Sequence, residues 1–163
     1  MRFRMISAAL LTLATLTACA PSPTDAQSVA ADARAAEHDR QQDFKWGPAP
    51  AIFPPGAQMA VLQGDPGGTA LFTVRLRFPD NYRIPPHTHP TDEIVTVIRG
   101  TFRVGMGPTF ERRGMLSFGE GGFVVAPANH AHYALARGTT IVQVHAMGPF
   151  AMTYVNPADT PKP

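Results

Sequence analysis

The stretch IPPHTHPTDEIVTVIRG, residues 84–100, decides how this chain is to be read. Two histidines stand one residue apart, a glutamate follows the second by four, and the surroundings are strand-like. On an extended strand the side chains at i and i+2 share a face with alpha carbons about 6–7 Å apart, so His87 and His89 can aim their imidazoles at one point. A carboxylate just beyond them, at Glu93, can reach the same point if the chain reverses near Pro90–Asp92. Pro86 and Pro90 bracket the pair and restrict the backbone on either side.

Working outward, the chain from Trp46 onward is made of short runs rich in Val, Ile, Phe and Thr, separated by Gly, Pro, Asn and Asp. Eight runs read as strands: AQMAVLQ, TALFTVRLRF, EIVTVIRG, GTFRVGM, GGFVVAP, AHYALAR, TTIVQVHAM and FAMTYV. In LFTVRLRF, Phe72, Val74, Leu76 and Phe78 fall on one face while Arg75 and Arg77 take the other; Phe102, Val104 and Met106 oppose Arg103 in the same way. No helical period of comparable strength is present. The expected fold class is all-β, a sandwich or barrel.

Composition narrows the chemistry. Residues 46–161 hold no Cys, no Lys and a single Ser, Ser117, which lacks a nucleophile-elbow context. Thiol nucleophiles, Schiff-base lysines and the usual serine hydrolase are thereby excluded. GEGGF lacks the spacing and the lysine of a phosphate-binding loop and reads as a turn. Five histidines, a few carboxylates, and some Tyr and Arg remain, which leaves metal or acid–base chemistry.

The second histidine pair lies in GGFVVAPANHAHYAL, at His130 and His132. Together the two stretches resemble the two motifs of the cupin superfamily. His87, His89, Glu93 and Gly100 match the first motif, with Asn81 where that motif usually opens on glycine. Gly121, Pro127 and His132 match the second, with Asn129 in place of its glycine and Ala136 in place of a frequent asparagine. Asparagine tolerates a left-handed backbone better than most residues, so the replacement at Asn129 is mild. The resemblance runs over residues 50–155. It implies a jelly-roll β-barrel (double-stranded β-helix) and a metal site made by His87, His89, Glu93 and His132, the frame from Pro127 selecting His132 over His130.

Three imidazoles and one carboxylate, with no thiolate, suit one divalent transition metal ion: Fe(II) or Mn(II) first, with Ni(II), Cu(II) and Zn(II) as alternatives. Four protein ligands leave open positions for a small organic molecule bearing oxygen donors. Phe102, Met106, Tyr133, Gln143 and His145 are the expected substrate pocket, and His145 and Tyr133 the candidate groups for proton transfer, the face of Gln143 and His145 reading equally as one that looks outward or into a subunit contact. Tyr82, Phe150 and Tyr154 would rim the mouth or pack against it. Two functional classes fit: a metal-dependent oxygenase or lyase/isomerase, and a non-catalytic cupin that binds or senses a small molecule or metal.

The amino terminus is read separately. MRFR followed by the apolar MISAALLTLATLTA has the form of a signal peptide, and Leu16–Cys19 resembles the lipobox of bacterial lipoproteins. The expected organisation is a signal at 1–18, a tether at 19–43, the barrel domain at 44–156 and a tail at 157–163. Cys19, the chain's one cysteine, is the expected lipid-attachment site, and Ala20 after it fits sorting to an outer membrane in the periplasm. The chain carries 14 basic and 12 acidic residues, and removing Arg2 and Arg4 with the signal leaves 12 of each. Nucleic acid is therefore not an expected partner. Expected partners are a small-molecule ligand or substrate, the membrane through the lipid alone, and a second copy in a homodimer.

Overall fold

The computed structural model describes residues 44–162. The signal, the Cys19 lipid site and the tether lie outside the described residues. Nine strands are described: β1 Gly47–Pro48, β2 Gln58–Gln63, β3 Leu71–Phe78, β4 Arg83–Thr88, β5 Glu93–Met106, β6 Leu116–Phe118, β7 Phe123–Ala126, β8 His132–Met147 and β9 Thr153–Tyr154. All their pairings are antiparallel. The order β1-β2-β3-β8-β4-β9 forms one path, and β5 pairs with β8, β6 and β7.

The backbone of the barrel is a ribbon of β5 and β8, paired from Ile94↔His145 to Met106↔His132. One half of the ribbon continues into β3 and β7, the other into β4 and β6. It curls because both strands bend in the middle. The register shifts around Arg99, between Val97 and Thr101, and Gly100 and Gly138 hold φ of 81° and 67°. At Gly100 a side chain has no room, since a Cβ would lie 2.7 Å from the Thr139 carbonyl oxygen. EIVTVIRG and GTFRVGM are thus one bent strand, as are AHYALAR and TTIVQVHAM.

The curl encloses one core, built by alternation. Phe72, Val74, Leu76 and Phe78 of β3 face Val95, Val97, Phe102 and Val104 of β5 and Val142, Val144 and Ala146 of β8, all buried. Each large apolar side chain so buried contributes about 1.5–3 kcal/mol over leaving it in water. The arginines fall on the outer face as expected: Arg75 Nε donates to Gln143 Oε1 at 3.0 Å, and the guanidinium groups of Arg75 and Arg77 lie over Phe44 and Trp46. A second, smaller cluster of Met115, Tyr133 and Leu135, with Phe110 against it, covers the outside of the other half.

The two asparagines that replace motif glycines both adopt the left-handed backbone, at φ of 58° for Asn81 and 60° for Asn129. Tyr82 packs in the core, stacked on Phe78 at 4.9 Å, with its hydroxyl on the Pro54 carbonyl. After β9, Pro157–Asp159 form a 3₁₀ turn whose first N–H groups are capped by Asn156.

Candidate metal centre

The three histidines reach the same end of the barrel from two strands. His87 belongs to β4, His89 follows it one residue past the strand, and His132 opens β8. His87 and His132 are direct register partners. Pro85 and Pro86 have no N–H to give to a ladder, and the β4–β8 register shifts between Ile84 and His87. The turns carrying the two motifs are tied to each other: Asn129 N–H donates to the His89 carbonyl and Ala128 N–H to Asp92 Oδ1, both at 2.8 Å.

Each imidazole is oriented in the same way. Nδ1 of His87 is 2.7 Å from the Pro85 carbonyl, that of His89 2.7 Å from the Ala151 carbonyl and that of His132 3.0 Å from the His130 carbonyl. A carbonyl oxygen only accepts, so each Nδ1 carries a proton and Nε2 is the ring nitrogen left to meet an ion. Nε2 of His89 and Nε2 of His132 are buried without a hydrogen-bond partner. Ring centroids lie 4.3–5.2 Å apart, and one nitrogen from each ring falls within 4.8 Å of the other two. Glu93, the first residue of β5, places Oε2 3.7 Å from His89 Nε2 and 3.6 Å from His132 Nε2.

This arrangement fits a metal ion. Ligands held about 2.1 Å from a shared ion lie about 3–4 Å from one another, close to the separations here. Orphaned buried nitrogens are costly without a partner, and Nδ1–H bonded to a carbonyl is the usual support of a ligating histidine. The three buried histidines can hold an ion, and the Glu93 carboxylate stands beside them.

Electrostatics agree with that use. Burial, then the neighbouring His132, pushes the His87 imidazole down to about 3, and the Pro85 carbonyl only partly offsets them. Burial disfavours charge on Glu93, but the adjacent His132 and His89 outweigh it and hold the carboxyl below its ordinary value. Burial likewise disfavours a charged His132, yet the facing Glu93 carboxylate raises it. His87 is therefore neutral and Glu93 ionised at neutral pH, the states in which each binds a cation.

Beside the donors lies a narrow apolar pocket, with room for little more than a water-sized molecule. Phe102 and Val104 line it, with Leu76, Phe78, Ile84, Val95, Val142 and Val144. Four other expected pocket residues do not. Tyr133 follows His132 directly, and the pleat turns consecutive side chains to opposite faces. Its ring packs outside against Phe110, with the hydroxyl on the Glu111 carbonyl at 3.2 Å. Gln143 and His145 alternate with inward Val142 and Val144, so they too face out. There His145 Nδ1 meets Thr73 Oγ1 at 2.9 Å and Nε2 meets Gln143 Nε2 at 3.1 Å. Met106 is the register partner of His132 but ends its strand half in solvent, 51% exposed. Neither His145 nor Tyr133 stands where proton transfer in this pocket requires a group. His130 is exposed and meets the site through its backbone carbonyl.

Further residues meet the site, Tyr154 from β9 and Phe53, Phe150 and Met152 from loops. Phe150 stacks on the His89 ring at 5.2 Å and also packs on Phe53 and Phe72. Tyr154 lies 6.0 Å from the His87 ring and donates its hydroxyl to the Ile52 carbonyl at 2.7 Å. Phe53 and Met152 complete the pocket wall.

A curled antiparallel barrel with imidazoles converging from two such motifs defines the protein as a cupin. More particularly, residues 35–151 match the ChrR Cupin-like domain family, and the chain belongs to it. No curated protein matches the sequence. Among solved structures, the polyketide cyclase RemF from Streptomyces resistomycificus is 18% identical, over 77% of this chain and 89% of that one, with a TM-score of 0.63. A candidate acetylacetone dioxygenase from Methylibium petroleiphilum PM1 is 21% identical over 78% and 86%, with a TM-score of 0.58. KdgF from Halomonas sp. is 21% identical over 69% and 95%, with a TM-score of 0.53. At these identities the likeness is one of fold.

Proposed function

We propose that the protein is an exported, metal-dependent cupin enzyme acting on a small organic molecule with oxygen donors. The observation that carries this reading is the set of three rings, each tied through Nδ1 to a backbone carbonyl, whose free nitrogens converge beside Glu93 at an apolar pocket. His87, His89 and His132 with Glu93 would hold one divalent ion, Fe(II) or Mn(II) by donor type. Such an ion supplies Lewis acidity and, if redox-active, electrons for O₂ chemistry. The chain's own residues orient the donors, keep the carboxylate ionised and exclude water with an apolar wall.

Of the two enzyme classes, oxygenase is favoured over lyase or isomerase. The latter need a group that takes or gives a proton at the substrate, and the titratable side chains lining this pocket, His87, Glu93 and His132, are all in the donor set. That RemF is a cyclase and another neighbour a candidate dioxygenase supports an enzyme on this fold. The same lack of a separate acid or base favours a second reading, a binding or sensing cupin without turnover. O₂ uptake by the Fe(II)-loaded protein across a panel of small oxygenated compounds separates them. An oxygenase consumes O₂ with at least one compound and loses this in Glu93→Gln, whereas a binder shows saturable uptake and no product.

The lipid anchor at Cys19, a periplasmic place at the outer membrane and pairing as a homodimer belong to the same proposal. The signal-like start and LTAC support the first two. Metabolic labelling with a radioactive fatty acid, lost in Cys19→Ser, tests the anchor.

A further inference from the structure

Fourteen of the side chains around the pocket come from barrel strands; Phe53 and Met152 come from loops. Phe53 is buried and stacked against Phe150. Met152 is half-buried, and its surroundings distinguish it. It lines the inner pocket, and it also lines a surface hollow formed with Ile52, Thr153, Tyr154, Pro157 and Thr160. Met152 therefore stands on a wall common to the outer hollow and the space beside the metal donors.

The chain on either side of Met152 is tied by one hydrogen bond each. Ala151 accepts the hydrogen bond of His89, and the Tyr154 hydroxyl holds the Ile52 carbonyl across the hollow. The thioether chain, with its several rotatable bonds, can swing aside without moving either anchor. The inner pocket is narrow, with room for a water-sized molecule at few points, so any larger occupant has to displace something.

What it can accept follows from its wall. Apart from the donor residues every lining side chain is apolar, and Arg75, Arg77 and Arg103 are engaged on the outside. Among the described residues no Ser, Thr, Asn, Gln, Lys or Arg side chain lines the pocket to meet a hydroxyl or a second carboxylate. Each hydroxyl buried there without a partner weakens binding by roughly ten- to a hundredfold.

We propose that Met152 is the gate between the surface hollow and the pocket, and that the pocket takes a small, mainly hydrocarbon molecule whose one or two oxygen donors meet the metal site. This rests on the metal-centre reading above. Sugars, polyols and polycarboxylates are excluded as substrates by the same wall.

The test uses the full chain loaded with Co(II), its metal content measured first in every variant. Binding of two bidentate oxygen donors, tropolone and malonate, is followed through the cobalt absorption spectrum in stopped flow. Tropolone is expected to be favoured over malonate at least tenfold, relative to their affinities for aqueous Co(II). Met152→Trp is expected to slow tropolone association at least tenfold, and Met152→Ala to speed it, both with unchanged metal content. Since the larger side chain can disturb folding, Met152→Ala and far-UV circular dichroism of both variants keep the test decisive. Equal or better binding of malonate overturns the substrate class. Association rates unchanged in both variants place the entrance elsewhere and overturn the gate, leaving the metal centre standing. A wild-type chain that takes up no Co(II) overturns the metal reading and this inference with it.

Discussion

Acidifying the metal-free protein should destabilise it through His87 in particular. This ring is 2% exposed, and burial with the nearby His132 brings it from 6.5 to about 3. Between those values the unfolded chain binds a proton that the folded chain refuses. The stability is therefore fully present above 6.5 and is lost as pH falls toward 3. At pH 5 the loss is about 2 kcal/mol, and the full difference is on the order of 5 kcal/mol. His132 acts in the opposite direction, since its facing carboxylate raises it, so the wild-type curve alone does not isolate His87. Urea unfolding at pH 7.5 and pH 5.0 with a chelator, in wild type and His87→Leu, does. Both pH values lie above the ordinary 4.5 of a carboxyl such as Glu93, which its histidine neighbours lower further. The wild type should lose about 2 kcal/mol more than the variant between the two conditions. An equal loss in both would refute the claim that His87 is held neutral by burial.

Other expectations concern the walls of the site. Gly105→Ala should lower stability by about 1–3 kcal/mol in thermal unfolding, because its new methyl would sit inside the buried Tyr133 ring. His145→Ala should leave metal content unchanged, as should Tyr133→Phe, which forfeits only the bond to Glu111 at about 1 kcal/mol. Phe150→Ala should cost about 2–4 kcal/mol from the lost packing on Phe53 and Phe72. The same variant should weaken metal binding about tenfold in a chelator competition, since the His89 ring loses its stacking support.

Much of this was legible in the sequence because β-alternation and the two histidine motifs act locally. The 87–93 spacing, the Arg-out and Phe-in pattern of β3, and asparagines able to take the left-handed backbone all follow from single residues and their near neighbours. The assignment of Gln143, His145 and Tyr133 to the pocket went against information the strand itself carried. In IVQVHAM the apolar Val142, Val144 and Ala146 claim the inner face, so the polar residues between them face out. His132 and Tyr133 are consecutive and cannot both point inward. What the sequence did not carry was long-range: the merging of two candidate strands at Gly100 and again at Gly138, the strand Arg83–Thr88 despite its two prolines, and the loop residue Met152 brought against the site from over 60 positions beyond His87.

The central claim is tested most directly by elemental analysis of the protein purified without added metal and without a histidine tag, alongside His132→Ala and His130→Ala. The account predicts about one divalent transition metal ion per chain in wild type and in His130→Ala, and little or none in His132→Ala. A wild-type protein that is metal-free and stays so when offered Fe(II) or Mn(II), or a metal content unaffected by His132→Ala, would contradict it.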